Sequence, residues 1–416
     1  MALQEPHSRG LRPLGLCALT LPSNSRNLES LFGQIVDAVG RVTGQQTSGL
    51  HEPVFGENEK KYVIECLETG FVSSVGSFVG KFEQELARFV GASDAVAVVN
   101  GTSGLHLALT AVGVRPGDEV IVPALSFVAT ASAVRLAGAT PHFVDVSHET
   151  WGMDGALVGD YLRRILQRDG QRWINSSTGQ PVTAIVPMHT LGQPCDMNLV
   201  SKAAKDFGLA VVEDAAESLG SFAGAQHTGI SGRAGVFSFN GNKTITTGGG
   251  GAIVTNDNEL ASRLRHLSTT AKIPHPFEFD HDEVGYNYRM PNINAALGLA
   301  QLEQLPELVR RQRALHHKYS EIVAPIPIAS LRTDARGTTS NYWLHALLLA
   351  EEFATERDLL ITGFLDAGIP VRPLWKPLNT LKPYRNFPSA PTPNAEDLYS
   401  RVICLPSSAS LVSKEN

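Results

Sequence analysis

Between Phe237 and Gly251 the chain runs through a short apolar segment, a polar turn holding one lysine, Lys243, and four consecutive glycines. A lysine desolvated in such a turn has a lowered pKa and can serve as an amine nucleophile. Glycine runs cost backbone entropy and are kept where the main chain bends unusually or approaches a ligand closely. Alone, the stretch describes a glycine-rich hairpin with a solvated lysine at least as well. Three further positions carry complementary chemistry. Asn100-Gly-Thr-Ser-Gly104 lies between an apolar segment and a helical one, so its N–H groups and the Thr102 and Ser103 hydroxyls can hold a phosphate. Asp214 ends the apolar run that begins at Val211, and Phe127 offers an aromatic face. Taken singly, these are ordinary helix caps and a core residue.

Taken together they meet the requirements of pyridoxal 5′-phosphate. Its ring nitrogen must stay protonated for the ring to act as an electron sink, which an adjacent carboxylate secures. A lysine must form the Schiff base, a cradle must hold the phosphate, and an aromatic ring can stack on the pyridine.

These residues need a scaffold that brings strand ends to one edge. Short apolar runs at Asp94–Val99, Glu119–Val122, Thr140–Asp145, Thr183–Pro187 and Ala210–Glu213 alternate with helical patterns, which predicts a mostly parallel sheet covered on both faces. Ligands collect at the carboxyl ends of such strands. Upstream, Leu28, Leu31, Phe32, Ile35, Val39 and Val42 recur at helical spacing, with Asn27 placed to cap the helix. Helices are also expected over Glu57–Glu68, ending at Gly70, and from Ser77 to Gly91. Beyond Pro291 two helices, Ile293–Gln304 and Leu305–Ile322, lead to a strand at Tyr342–Leu349 and a helix at Glu356–Ala367. The expected organisation is an N-terminal helical extension over residues 1–50, a large domain over 51–303 and a smaller C-terminal α+β domain over 304–416.

A net charge of −6 with no block of like charge gives no reason to expect nucleic acid or an anionic membrane as partner. The cysteines, Cys17, Cys66, Cys195 and Cys404, lack metal-ligand spacing, so no metal site is expected. Free thiols suit a reducing cytoplasm. The apolar segment Leu11–Leu21 is interrupted by Arg12 and Pro13 and is too short to span a bilayer.

From about His51 onward the chain resembles the DegT/DnrJ/StrS family of pyridoxal-phosphate-dependent nucleotide-sugar aminotransferases. The resemblance rests on Gly101-Thr-Ser103, Pro123-Ala-Leu-Ser-Phe-Val-Ala-Thr130, Val212-Glu-Asp-Ala-Ala216, Ser238 five residues before Lys243, and Gly285-Tyr-Asn-Tyr-Arg-Met290. It implies the α/β architecture of fold-type I aminotransferases, with a mixed, mostly parallel sheet sandwiched by helices. It further implies Lys243 as the Schiff-base lysine, Asp214 beside the ring nitrogen and Phe127 stacked on the ring. Thr102, Ser103 and Ser238 would hold the phosphate. Asn287 would reach the phosphate of a neighbouring subunit, which makes the expected assembly a homodimer with shared active sites. Glu217 stands where the family often has His or Gln near the cofactor's phenolic oxygen. Gly70–Gly76, Phe239–Lys243 and the glycine run look most like a LegC-type branch, which aminates C4 of nucleotide-linked 4-keto-6-deoxy N-acetyl sugars with glutamate as the expected donor.

For the sugar or nucleotide, Ser74 in the Gly70–Gly76 loop, His189 and the Trp343-Leu-His345 segment are candidates. Arg289 and Arg372 are candidates for an anionic group of either substrate. Amination at C3, an aminocyclitol acceptor, and a non-catalytic binding protein are the competing readings.

Overall fold

The computed structural model describes residues 25–44 and 49–413, with side chains from residue 30 onward. Its centre is a seven-stranded sheet. The strands are β1 (Asp94–Val98), β2 (Glu119–Pro123), β3 (Thr140–Val144), β4 (Val182–Ile185), β5 (Ala210–Asp214), β6 (Ala234–Ser238) and β7 (Gly251–Thr255). Their spatial order is β1-β7-β6-β5-β4-β2-β3. The pairs β6/β5, β5/β4, β4/β2 and β2/β3 are parallel, and β7 runs antiparallel to both β1 and β6. The sheet is therefore mixed and mostly parallel, as expected.

Pleating sends alternate residues to opposite faces. Along β1, Val96 and Val98 join one core cluster, whereas Ala95 and Ala97 join the other. The covering helices are α1 (Ser25–Thr43), α2 (Glu57–Thr69), α3 (Ser77–Val90), α4 (Gly101–Ala111), α5 (Val128–Leu136), α6 (Gly155–Ile165), α7 (Met197–Phe207), α8 (Asn258–Ser268), α9 (Asn292–Val323) and α10 (Arg357–Asp366). Helices α4, α5 and α8 cover the Val96 face. Buried Phe78, Phe82 and Leu86 of α3 meet Ala295, Leu299 and Leu302 of α9 over the Ala95 face. Helices α6 and α7 pack on Ile121, Val144, Ile185 and Val211.

A second, four-stranded antiparallel sheet holds β8 (Ala329–Leu331), β9 (His345–Leu349), β10 (Arg372–Pro373) and β11 (Val402–Leu405), in the order β8-β9-β11-β10. Leu347, Leu349, Ile403 and Leu405 pack with Phe32, Ile35 and Val39 of α1, Leu315 and Tyr319 of α9, and Leu360 and Phe364 of α10. The N-terminal helix is thus built into this smaller core.

Several elements differ from the sequence expectation. Helix α9 is a single 32-residue helix that passes through Pro306 and across position 304. A proline inside a helix costs about 3 kcal/mol, and burial of Leu305 and Leu308 on either side offsets it. Asn27 lies inside α1, which begins at Ser25, so it is not the cap. The polar stretch before Gln180 contains two short paired strands, Leu166–Asp169 and Arg172–Asn175. Helix α8, capped by the Asp257 side chain, was not anticipated. Gly70 and Gly91 do close their helices in the left-handed conformation, at φ 75° and 77°. The segment Leu11–Leu21 and Cys17 lie outside the described residues.

Candidate active site

Because β7 alone is reversed, its first residue and the last residues of β1, β2, β5 and β6 share one edge of the sheet. A cleft of ≈ 620 Å³ opens there, against the smaller sheet. Asn100, Gly101 and Thr102 follow β1, Phe127 follows β2, Asp214 ends β5 and Ser238 ends β6; all line it. Lys243 and Gly249–Gly250 line it from the β6–β7 connection. A groove of similar volume, rimmed by Arg115, Arg172 and Arg233, lies near the opposite strand ends and holds none of the candidate residues.

The Lys243 turn is fixed from below. Its main-chain N–H donates to the Asn240 carbonyl at 3.0 Å. Phe239 and Ile245 are buried in the core. From α9, Asn294 donates to the Thr247 carbonyl at 2.8 Å, and Gln301 accepts from the Thr246 N–H at 3.3 Å. The glycines have separate reasons. Gly248 sits at φ 77°, where a side chain is strained. A Cβ on Gly251 would lie 2.7 Å from the Asn100 carbonyl carbon, so only glycine lets β7 start against the phosphate-type loop.

Lys243 is largely shielded from solvent, with 12% of its side chain exposed. Its Nζ lies 3.2 Å from Glu217 Oε1 and 3.7 Å from the centre of the Trp343 ring. The ring is anchored by its N–H, which donates to the Asn242 carbonyl at 2.6 Å. Glu217 is fully enclosed; its other oxygen accepts from the Leu191 N–H at 2.9 Å. Burial pushes the Glu217 carboxyl up to about 7, with the Lys243 ammonium opposing that rise.

Asp214 is also buried, and burial raises its pKa. Thr130, one turn into α5, donates to Asp214 Oδ2 at 2.6 Å, and the Ala216 N–H donates to Oδ1 at 3.2 Å. Thr130 in turn exchanges a 2.7 Å hydrogen bond with Ser126. Phe127 keeps 48% of its surface exposed in the cleft, with its ring 6.2 Å from that of Trp375.

These residues fit pyridoxal 5′-phosphate. A Cβ on Gly101 would stand 3.0 Å from the Ser238 Cβ and close the gap between the start of α4 and the end of β6. That gap is a cradle of N–H and hydroxyl groups at a helix N-terminus, suited to a phosphate. A buried carboxyl with raised pKa is returned to its ionised form by a cation placed beside it, which describes Asp214 next to a pyridinium.

Other candidates lie elsewhere. His189 is fully buried on the far side of β5: its Nδ1 accepts from the Cys195 N–H at 3.0 Å, and its Nε2–H meets Glu213 at 2.9 Å. Strand parity explains this, since Asp214 faces the cleft and Glu213, its neighbour, faces away. His345 is likewise enclosed, 3.0 Å from Ser407 Oγ and 3.2 Å from the Gln312 carbonyl, while neighbouring Leu344 and Trp343 line the cleft. Ser103 lies outside the lining, and its N–H is capped by the Asn100 side chain at 2.8 Å. Ser74 and Asn287 are exposed and away from this cleft. Arg289 is taken up by Glu83 at 2.7 Å and the Ala97 carbonyl, whereas Arg372 lines the cleft.

The sequence reading missed Thr130, Trp375 and Leu50. Thr130 had a local signal, a hydroxyl four residues after Ser126. Trp375 and Leu50 had none, because only packing of the smaller sheet against the larger brings them to the cleft.

Comparison with known proteins agrees with this geometry. Residues 53–416 match the profile of the DegT/DnrJ/EryC1/StrS aminotransferase family. A GDP-perosamine synthase of Escherichia coli O157:H7 is 38% identical over 366 residues, 88% of this chain and 94% of that protein. Among solved structures, Helicobacter pylori PseC, an aminotransferase involved in the biosynthesis of pseudoaminic acid, superimposes with a TM-score of 0.79 at 28% identity, covering 88% of this chain and 94% of that one. DesI, solved in the presence of its TDP-sugar product, gives 0.78 at 30% identity, covering 89% and 90%.

Proposed function

We propose, from the premise that the chain belongs to the DegT/DnrJ/EryC1/StrS aminotransferase family, that it aminates the C4 ketone of a nucleotide-linked 4-keto-6-deoxyhexose or its N-acetyl form. As a family member it is a pyridoxal-phosphate-dependent aminotransferase acting on the keto group of a nucleotide sugar. The C4 position and glutamate as donor rest on the resemblance of the Gly70–Gly76 and Phe239–Lys243 stretches to the branch with that chemistry. The observation that carries the catalytic reading is the enclosed Lys243, held between Glu217 and Trp343 at the edge where Asp214 and the α4 cradle meet.

When bound, the cofactor supplies an electrophilic carbon for a covalent link and a cationic ring that spreads the negative charge left on a substrate carbon. Thr102 and Ser238, with the first N–H groups of α4, would hold its phosphate, and Phe127 would lie against its ring. Asp214 would keep the ring nitrogen protonated, and Thr130 orients that carboxylate. Lys243 Nζ would be the amine that links to the cofactor, and as a free amine it would take the proton from the donor's Cα. Glu217 and Trp343 keep the free amine within the cleft. The sugar half of the cycle uses the same groups in reverse, so the kinetics are ping-pong.

Further proposals concern assembly. Asn287 serves a neighbouring subunit's phosphate, which requires a homodimer. It is supported by the exposure of Asn287 at the end of a segment that also exposes Phe277, Phe279 and Val284, apolar side chains at least 79% exposed. The chain is organised as the extension to residue 50, the large domain over 51–303 and the small domain over 304–416, with α9 as a strut running through both domains. Among the described residues no helix is long and apolar enough to cross a membrane. The free buried thiols Cys66, Cys195 and Cys404 support a cytoplasmic location.

The test is a half-reaction screen. Enzyme converted to its amine form by glutamate is mixed with 4-keto and 3-keto nucleotide sugars, and return of the visible absorbance is followed. The proposal expects turnover with a 4-keto sugar; preference for a 3-keto sugar refutes the C4 assignment. Lys243→Ala should lose the visible absorbance of the bound cofactor and all turnover, and a mutant turning over at the wild-type rate refutes the role of Lys243.

A further inference from the structure

The wall of the cleft opposite the cofactor residues comes from outside the large sheet. Its apolar part is formed by Leu50, Trp343, Leu344, Leu374, Trp375 and Cys404, and Arg372 adds one charged group. All but one belong to the smaller sheet and its connections; Leu50 belongs to the segment that precedes the family-matched region, which starts at residue 53.

That segment is clamped. The Leu50 carbonyl accepts from the Ser407 N–H at 2.7 Å, and the Glu52 N–H donates to Ser408 Oγ at 2.8 Å. Between them His51 is buried, its Nε2 2.7 Å from Gln312 Nε2 on α9. Ser407 is itself held by His345, whose N–H donates to Ser407 Oγ at 2.8 Å. His345 is thus linked to the Leu50 carbonyl through Ser407. The proximity also registers electrostatically: burial, with the Lys243 ammonium adding to it, lowers the His51 pKa to about 3. A main chain tied at successive residues to the turn after β11 and to α9 holds the Leu50 backbone in one place.

An apolar side chain on a fixed main chain, lining the same cleft as the cofactor residues, selects for an apolar group on a ligand that reaches it. We propose that Leu50 is a specificity-determining residue, which contacts an apolar substituent of the acceptor sugar and gives the N-terminal segment a part in substrate choice. This rests on the aminotransferase reading above. An amino-acid donor, which carries charge at the reacting end, gains little from such a wall, whereas a deoxygenated carbon or an acetyl methyl gains the burial of its apolar surface.

The experiment separates the two half-reactions. Leu50→Ala and the volume-conserving Leu50→Met are compared with wild type by single-turnover absorbance, first with glutamate and then, from the amine form, with the 4-keto nucleotide sugar. Thermal melting and the spectrum of the bound cofactor are recorded alongside. Leu50→Ala should lower kcat/KM for the sugar step about tenfold, the scale for lost methylene contacts in an apolar pocket, with the loss carried by KM. Leu50→Met should restore most of it, the glutamate step should change less than about twofold on the same scale, and melting and spectrum should be unchanged. An unaltered sugar step in Leu50→Ala, or an equal fall in both steps, overturns the assignment. Wild-type protein that reacts with glutamate but with no keto nucleotide sugar overturns the aminotransferase reading and this inference with it.

Discussion

Glu217→Gln is the most informative single change, because the carboxyl it removes is enclosed beside the reactive amine. Folding raises its pKa from the ordinary 4.5 to about 7, chiefly by burial. A rise of roughly 2.5 is worth about 3 kcal/mol, at about 1.4 kcal/mol for each factor of ten. The folded state binds this proton more tightly than the unfolded chain does. The carboxyl's contribution to stability is therefore whole below about pH 4.5 and declines as pH rises; by about pH 7 it is lost. Glutamine keeps the shape, and its oxygen can still accept from the Leu191 N–H, but it has nothing to titrate. In cofactor-free protein the unfolding free energy of wild type, measured in urea, should thus fall relative to Glu217→Gln by up to about 3 kcal/mol between pH 4.5 and 7, and run parallel above. Two curves that remain parallel from pH 4.5 to 8 would refute the claim that Glu217 is held protonated by burial.

Two other outcomes follow from named contacts. Thr130→Val removes the 2.6 Å donor to Asp214 Oδ2; a hydrogen bond to a charged group contributes about 1.5–3 kcal/mol, so the Kd for pyridoxal 5′-phosphate, titrated by absorbance, should rise about tenfold or more, and an unchanged Kd sinks the positioning role. Lys243→Ala and Asn287→Ala proteins, each impaired alone, should recover turnover when their subunits are exchanged by mild denaturation and refolding; no recovery in demonstrably mixed dimers removes Asn287 from the partner's site.

The large sheet was legible because buried parallel strands are short apolar runs separated by helical spacing, and five of the seven strands were marked in that way; the other two flank the Lys243 turn as a hairpin. Asp214, Lys243, Thr102, Ser238 and Phe127 were legible for a related reason. Residues that follow or end neighbouring strands are carried to one edge by the topology, whatever the helices in between contain. Pro306 misled, since a local rule predicts a break that burial of Leu305 and Leu308 overrides. His189 and His345 misled because a sequence position does not say which way a side chain faces. One residue before each, Met188 and Leu344 line the cleft, whereas the histidines have the core.

By itself, then, the sequence determined the alternation of strands and helices, the lysine, the carboxylate and the hydroxyl-bearing turn at the start of α4, all of which depend on residue type and near spacing. Only the tertiary structure decided what surrounds Lys243. Glu217 comes from the turn after β5 and Trp343 from the start of the smaller sheet, while Leu50 comes from a segment some two hundred residues before the lysine. Their meeting depends on how two cores pack against each other, and that is a sum over many weak apolar contacts which no local run of residues encodes.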